Sequence, residues 1–469
     1  MMPRERAIVL VIFLSLLIMA ASIALVDWRR GWLLAVFIGV LQDPARKLTP
    51  GNPVWLTLSI ALVYGVVLIS SHINIMRGLR ELNQRYGRLF AAGALLLLFL
   101  VIAAINGVAT FGLEYWKVPA LSFFIYLMPI PAVAFGYIYL RREEQLLDFF
   151  RFYSLLTAVA LIGTPFEYLD YKWTALGMVG LPEGYIRYLP GIQLKILSGF
   201  YRAPDIMGWH AATLTCVAIA MAVRNRTLNK AWPWILAAAW GFTNCILSGR
   251  RKAVYMVAVF VAVFVWRYLR KMTMPQLISF AMAGVMMAFV VHKLGESEQS
   301  SVYTRGTATT SEEAFGRLEG GMIETLRQYG IMGVGLGTAT QGAQHLLGGG
   351  SFSWQEGGLG KLAIEVGLPG ILAAALVGLV LLRLILVLSR FPDEPDSSQL
   401  VRVTLVALVF ANIVNFLASA QAYSDAVLTL VTAFFLGCLL ATPALAERAA
   451  EPLPERSRAR LPLTTRAAA

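Results

Sequence analysis

Apolar positions in this chain fall in long unbroken blocks, not in the alternation of a half-buried strand or the one-sided stripe of a surface helix. A membrane-crossing helix needs about 20 mostly apolar residues. Blocks of that kind occur at 7–26, 53–72, 89–108, 118–140, 149–168 and 205–223. They continue at 232–247, 253–269, 274–292, 369–388, 403–418 and 426–444, with a shorter block at 31–42. The pattern predicts an all-α fold, a polytopic membrane helical bundle of about 12 transmembrane helices, or 13 if 31–42 also crosses. The first region is 1–292, with an outer segment at 169–204. A large outer loop at 293–357 follows the tenth block when 31–42 is counted, and a helix is expected in it near 312–329. The last helices occupy 358–446, and a Pro-, Arg- and Ala-rich tail at 447–469 reads as a solvated, disordered end.

Basic residues orient the bundle. Arg77, Arg80, Arg85 and Arg88 share one connection, Arg141 and Arg142 another, and Arg224, Arg226 and Lys230 a third. Arg267, Arg270 and Lys271 follow, then Arg390 with Arg402 and the arginines of the tail, all on one side of the alternation. Lys/Arg-rich connections stay in the cytoplasm, so the C-terminus is inside and 169–204 and 293–357 lie on the opposite face.

Composition agrees with a lipid environment. The 469 residues are 58% hydrophobic and only 14% charged, against about 25% charged in a soluble chain. The net charge of +13 is then topological, and nucleic acid is not an expected partner. Cys216, Cys245 and Cys438 sit in apolar runs without a CxxC pair, and no His/Cys/Asp cluster has metal-ligand spacing, so neither a metal nor a cofactor is expected. MMPRER followed by an apolar run to Val26 has the charge order of a signal peptide, but no small-x-small cleavage site precedes Asp27, so it reads as a retained helix.

Outer-face arginines are not needed for topology, which makes Arg202 in GFYRAPD, Arg250 and Arg251 in LSGRRKAVYM, and Arg317 in AFGRLEGG candidates for binding an oxyanion. Snorkelling to lipid headgroups is the competing reading. Glu356 in FSWQEGGLGK is a candidate general base, as is Glu365 in KLAIEVGLPG, although Glu365 could instead pair with Lys361 one helical turn away. His210 lies about two turns after Arg202 and is a further candidate. The GVGLG run lacks the strand and the continuation of a nucleotide fingerprint and reads as a flexible or tightly turning outer segment.

Taken in order, RAPDIMGWH, SGRR, FGRLEGGMIETLRQYGIMGVGLG and EGGLGKLAIEVGLPG resemble the O-antigen ligase and O-antigen polymerase superfamily of bacterial inner membranes. The resemblance implies a multi-pass protein of the cytoplasmic membrane whose active site faces the periplasm. Its donor would be a polyprenyl-diphosphate-linked glycan and its acceptor a glycan or lipid, with membrane lipid and other polysaccharide assembly proteins as surroundings. Arg202, Arg250 and Arg317 match the family arginines that grip the diphosphate. Ligases of the family carry a histidine where Gly360 stands here. The resemblance therefore implies a repeat-unit polymerase, a metal-independent glycosyltransferase, before a ligase. A secondary transporter is the alternative from another class, expected to show ionisable groups or broken helices at the bilayer midplane.

Overall fold

The computed structural model describes residues 3–179, 185–189, 192–225, 227–296, 298–307, 322–340, 357–389, 396–420 and 422–450. Helices dominate: α1 (Pro3–Val26), α2 (Trp28–Leu48), α3 (Ser59–Ser70), α4 (His72–Phe111), α5 (Lys117–Leu127) and α6 (Pro129–Tyr139). Next come α7 (Glu143–Ala160), α8 (Gly163–Tyr168), α9 (Pro204–Arg224), α10 (Leu228–Leu247), α11 (Arg251–Tyr268), α12 (Met274–Glu296) and α13 (Glu298–Thr307). The chain ends with α14 (Gly358–Leu388), α15 (Asp396–Ala418) and α16 (Ala426–Ala450). Among the described residues, ten helices are long and apolar enough to cross a membrane, as the all-α multi-pass expectation requires. The blocks at 31–42, 53–72 and 232–247 form helices that are shorter or more polar than these ten.

Two local structures differ from the expectation. The arginine-rich connection after 53–72 is helical, because α4 runs through it and bends at Tyr86 (φ −128°, ψ 38°). The long segment 169–204 contains an antiparallel hairpin, β1 (Tyr185–Leu189) and β2 (Ile192–Ile196), with Tyr185 opposite Ile196.

The core is organised around α9, whose apolar window is wholly buried. Its small Ala side chains let neighbours approach closely, and on the facing helix a Cβ on Gly241 of α10 would come within 2.6 Å of Thr215 Oγ1. A second centre is aromatic, where Trp32 of α2 packs on Phe135 of α6 at 5.2 Å and Phe434 of α16 at 5.0 Å between ring centroids. Here α6 and α16 cross so closely that a Cβ on Gly437 would stand 2.0 Å from Val133 O. Near the ends of α2, α8, α9 and α16 lie four buried charges: Asp43, Lys47, Glu167 and Asp425.

Candidate functional site

The approach to α9 is fixed before the helix begins. Ala203 is extended (φ −150°, ψ 148°) and Pro204 occupies the first turn, where a missing N–H costs nothing. The preceding segment is gripped from two sides. Glu167 of α8 accepts hydrogen bonds from Ser198 N at 2.9 Å and Gly199 N at 2.6 Å. Lys47, at the C-terminal end of α2, donates to Gly199 O at 2.8 Å and Tyr201 O at 2.5 Å. Burial pushes the Lys47 ammonium down to about 7, with Asp43 and Glu167 working in the opposite direction. Gly199 is left-handed (φ +54°) and lies so near Thr164 that a Cβ would meet its backbone N at 2.9 Å.

Arg202 is held between two aspartates. Its Nη1 donates to Asp43 Oδ1 at 3.2 Å, its backbone N donates to Asp43 Oδ2 at 3.1 Å, and its Nη2 pairs with Asp425 Oδ2 at 2.5 Å. Burial opposes the charge, but Asp425 and Asp43 outweigh it and raise the Arg202 pKa. Asp425 also accepts from Leu428 N at 3.0 Å, so the same carboxylate caps α16.

Asp205, in the first turn of α9, meets the α10–α11 turn. Arg250 Nη2 lies 3.0 Å from Asp205 Oδ2, and Lys252 Nζ pairs with Asp205 Oδ1 and donates to Ser419 Oγ at 2.7 Å. The turn itself depends on Gly249 (φ +61°), over which β2 packs: a Cβ there would stand 2.3 Å from Ile196 Cγ2. The structure thus brings Arg202 and Arg250 to the same end of α9. Arg251 opens α11 half-buried beside them. His210 is 1% exposed further along α9, with Nδ1 2.8 Å from Tyr153 OH and its ring 4.9 Å from that of Tyr201. Arg317 and Glu356 lie outside the described residues.

Glu365 belongs to a second constellation. It is fully buried in α14, where Tyr126 OH donates to Oε2 at 2.6 Å and Thr340 Oγ1 donates to Oε1 at 2.8 Å. Ser122 Oγ donates to Thr340 Oγ1 at 3.2 Å. Two residues later α14 breaks at Gly367 (φ 64°, ψ −169°), and Pro369 has no N–H to restore the ladder. The glycine-rich segment supplies the missing partners: Val334 N donates to Ile364 O at 2.7 Å and Leu368 N donates to Ile331 O at 2.8 Å. Gly333 allows that approach, since a Cβ on it would lie 2.6 Å from Ile364 O, and Gly335 lets the same segment pack on α4, where a Cβ would lie 2.4 Å from Gly107 Cα. The GVGLG run therefore acts in packing.

Sequence reading passed over Asp43, Lys47, Glu167, Asp205, Lys252 and Asp425. Lys252 had a signal, since it directly follows the two arginines of SGRRK. Among the described residues, no group of three or more His, Cys, Asp and Glu is placed to hold a metal ion. The chain matches no family model and no curated protein.

Proposed function

We propose that the chain is a polymerase that joins polyprenyl-diphosphate-linked oligosaccharide units at the periplasmic face of a bacterial inner membrane. The observation that carries this reading is the set of cations from separate elements at the start of α9: Arg202 on the approach, and Arg250 and Lys252 on the α10–α11 turn. Guanidinium and ammonium groups in a low-dielectric site stabilise a departing diphosphate without a metal. An acceptor hydroxyl oxygen attacks the anomeric carbon of the donor, and the bond from that carbon to the diphosphate oxygen breaks. The electron pair leaves with the diphosphate, and the hydroxyl proton passes to a carboxylate.

The proposed proton acceptor is Glu356. It precedes Gly357, whose Cα faces Leu417 O (3.9 Å from an added Cβ), and Leu417 is two residues before Ser419, the partner of Lys252. Glu365 is enclosed and already accepts two hydroxyl donors, so its assigned part is to hold the break in α14.

The test uses purified protein with lipid-linked repeat units, reading the length distribution of the product. A polymerase gives a ladder, a ligase without its lipid acceptor gives none, and a transporter breaks no bond. Glu356→Gln is expected to lower turnover by roughly 10²–10⁴-fold, the usual weight of general-base catalysis. Arg250→Lys is expected to impair the reaction although charge is kept, because an ammonium lacks the planar fork. A ladder unchanged by Glu356→Gln removes the base assignment, and absence of any ladder from the wild-type protein removes the polymerase.

A further inference from the structure

α4 is far longer than a crossing requires. Its 40 residues span about 60 Å at 1.5 Å per residue, twice the ~30 Å of a hydrocarbon core. The bend at Tyr86 divides it, and the apolar block 89–108 beyond the bend is long enough to cross. The stretch 72–86 is left over from the crossing, and its contacts place it at one end of the bundle. Ile75, Gly78 and Leu82 are buried, and a Cβ on Gly78 would stand 2.5 Å from Cγ2 of Ile138, the next-to-last residue of α6. Tyr86 OH donates to Leu440 O at 2.8 Å, and Arg85 pairs with Glu447, both in the C-terminal half of α16.

The side turned away from these contacts mixes two kinds of residue. Positions 73, 76, 77 and 80 share it by the i, i+3, i+4, i+7 spacing. Ile73 is 64% and Met76 54% exposed, and Arg77 and Arg80 are exposed beside them. Arg85 is engaged by Glu447, whereas Arg77, Arg80 and Arg88 form no hydrogen bond or ion pair among the described residues. Glu81 is the only acid in 72–88. Water suits the arginines but not Ile73 and Met76, and hydrocarbon suits the reverse. The boundary between acyl chains and headgroups suits both, because apolar side chains sink among the chains while guanidiniums reach phosphate. We infer that 72–88 forms a binding site for an anionic phospholipid, with its phosphate on Arg77 and Arg80 and its acyl chains against Ile73 and Met76. The contacts at Gly78, Arg85 and Tyr86 hold this face in place, which separates a site from loose attraction to surface charge. It is independent of the reaction proposed at α9.

The test is native mass spectrometry of the full chain, titrated in detergent with phosphatidylglycerol or phosphatidylethanolamine. Wild-type protein is expected to prefer phosphatidylglycerol. Arg77→Gln with Arg80→Gln is expected to weaken its binding about 10–30-fold, the weight of two basic residues at an anionic surface, and to abolish the preference. Arg270→Gln with Lys271→Gln removes equal charge from another exposed basic connection and is expected to leave that binding unchanged. Equal losses in the two double variants would show general surface charge and overturn the site. Ile73→Ser with Met76→Ser is expected to weaken the lipid while charge is kept, and unchanged binding would overturn the acyl contact. Displacement of the lipid by millimolar glycerol phosphate would make this a site for free phosphate and overturn the lipid assignment. The arginine double variant is expected to match the wild-type Tm in lipid-free detergent and to lose the rise in Tm that phosphatidylglycerol gives the wild type. A Tm already lowered without lipid, with unchanged lipid binding, would assign the arginines to structure and sink the proposal.

Discussion

The starts of α9 and α14 solve the burial of charge in opposite ways. Around α9 the described groups answer one another: Arg202 has Asp43 and Asp425, while Arg250 and Lys252 share Asp205. Around α14 the carboxylate of Glu365 is satisfied by neutral hydroxyls, and the ammonium of Lys361 faces an aromatic ring. Both regions sit where a broken or starting helix leaves backbone groups to be completed from elsewhere. In the first, side-chain charges complete the backbone, with Glu167 on two amides and Lys47 on two carbonyls. In the second, backbone completes backbone, through the strap at 331–340. The difference separates what each charge is for. At α9 the aspartates hold cations from separate elements in place, whereas at α14 the hydroxyl-bound carboxylate sits beside a break in the helix.

If that division is right, the largest loss should come from breaking a mutual answer at α9. Asp425→Ala leaves Arg202 with one carboxylate in a site where Asp425 itself is 2% exposed, and it removes the cap of α16. Removing one member of a buried ion pair costs about 3–5 kcal/mol. Thermal unfolding in detergent micelles measures it, with Asp425→Asn as the milder variant that keeps the capping oxygen. A loss below about 1 kcal/mol, the level of an exposed pair, would mean that the cluster does not position the approach to α9.

A smaller loss is expected at α14. Thr340→Val keeps the shape but removes the donor to Glu365 Oε1, leaving a buried carboxylate one hydrogen bond short, at a cost of about 1–3 kcal/mol. The strap should loosen with it, read as faster amide hydrogen exchange at Val334 and Leu336, whose N–H groups bond to α14 and α4. Unchanged exchange would show that the glycine contacts alone hold the strap.

What was legible in the sequence follows the same division. Lipid-facing blocks announce themselves because nothing but apolar residues can stand there, and ten of them are helices of crossing length. The 31–42 block reads as short because α2 continues through Gln42, Asp43 and Lys47, all buried. Hydropathy counts those residues against a helix, although their partners are other helices. Asp43 lies 159 residues from Arg202 and Lys47 lies 154 from Tyr201, so no local spacing marks them. Arg202 and Arg250 stand out in the sequence because each lies in a connection away from the Lys/Arg-rich ones, but each aspartate is a lone acid beside an apolar run. The glycines of the strap signal a flexible or turning backbone, of which the structure has the turns, but its destination in the break of α14 depends on a contact between distant segments.

The smallest effect is one of pH, and it tests whether Lys47 belongs with the mutual charges. The ordinary lysine value is 10.5, and burial lowers it here to about 7. Between those values the unfolded chain binds the proton more completely than the folded one, so this group makes stability rise with pH across the window. The rise attributable to Lys47 should be about 1 kcal/mol between pH 7 and pH 8, since one pKa unit corresponds to about 1.4 kcal/mol. Lys47→Met should remove that slope while losing the two bonds to Gly199 O and Tyr201 O. Comparing unfolding at the two pH values in both proteins isolates the slope from the lost bonds, because the bonds shift the Met variant equally at each pH. An equal pH dependence in the two proteins would mean that Lys47 keeps its proton throughout, held by Asp43 and Glu167 more firmly than burial opposes it. The approach to α9 would then be a fixed ionic frame, insensitive to pH over this range.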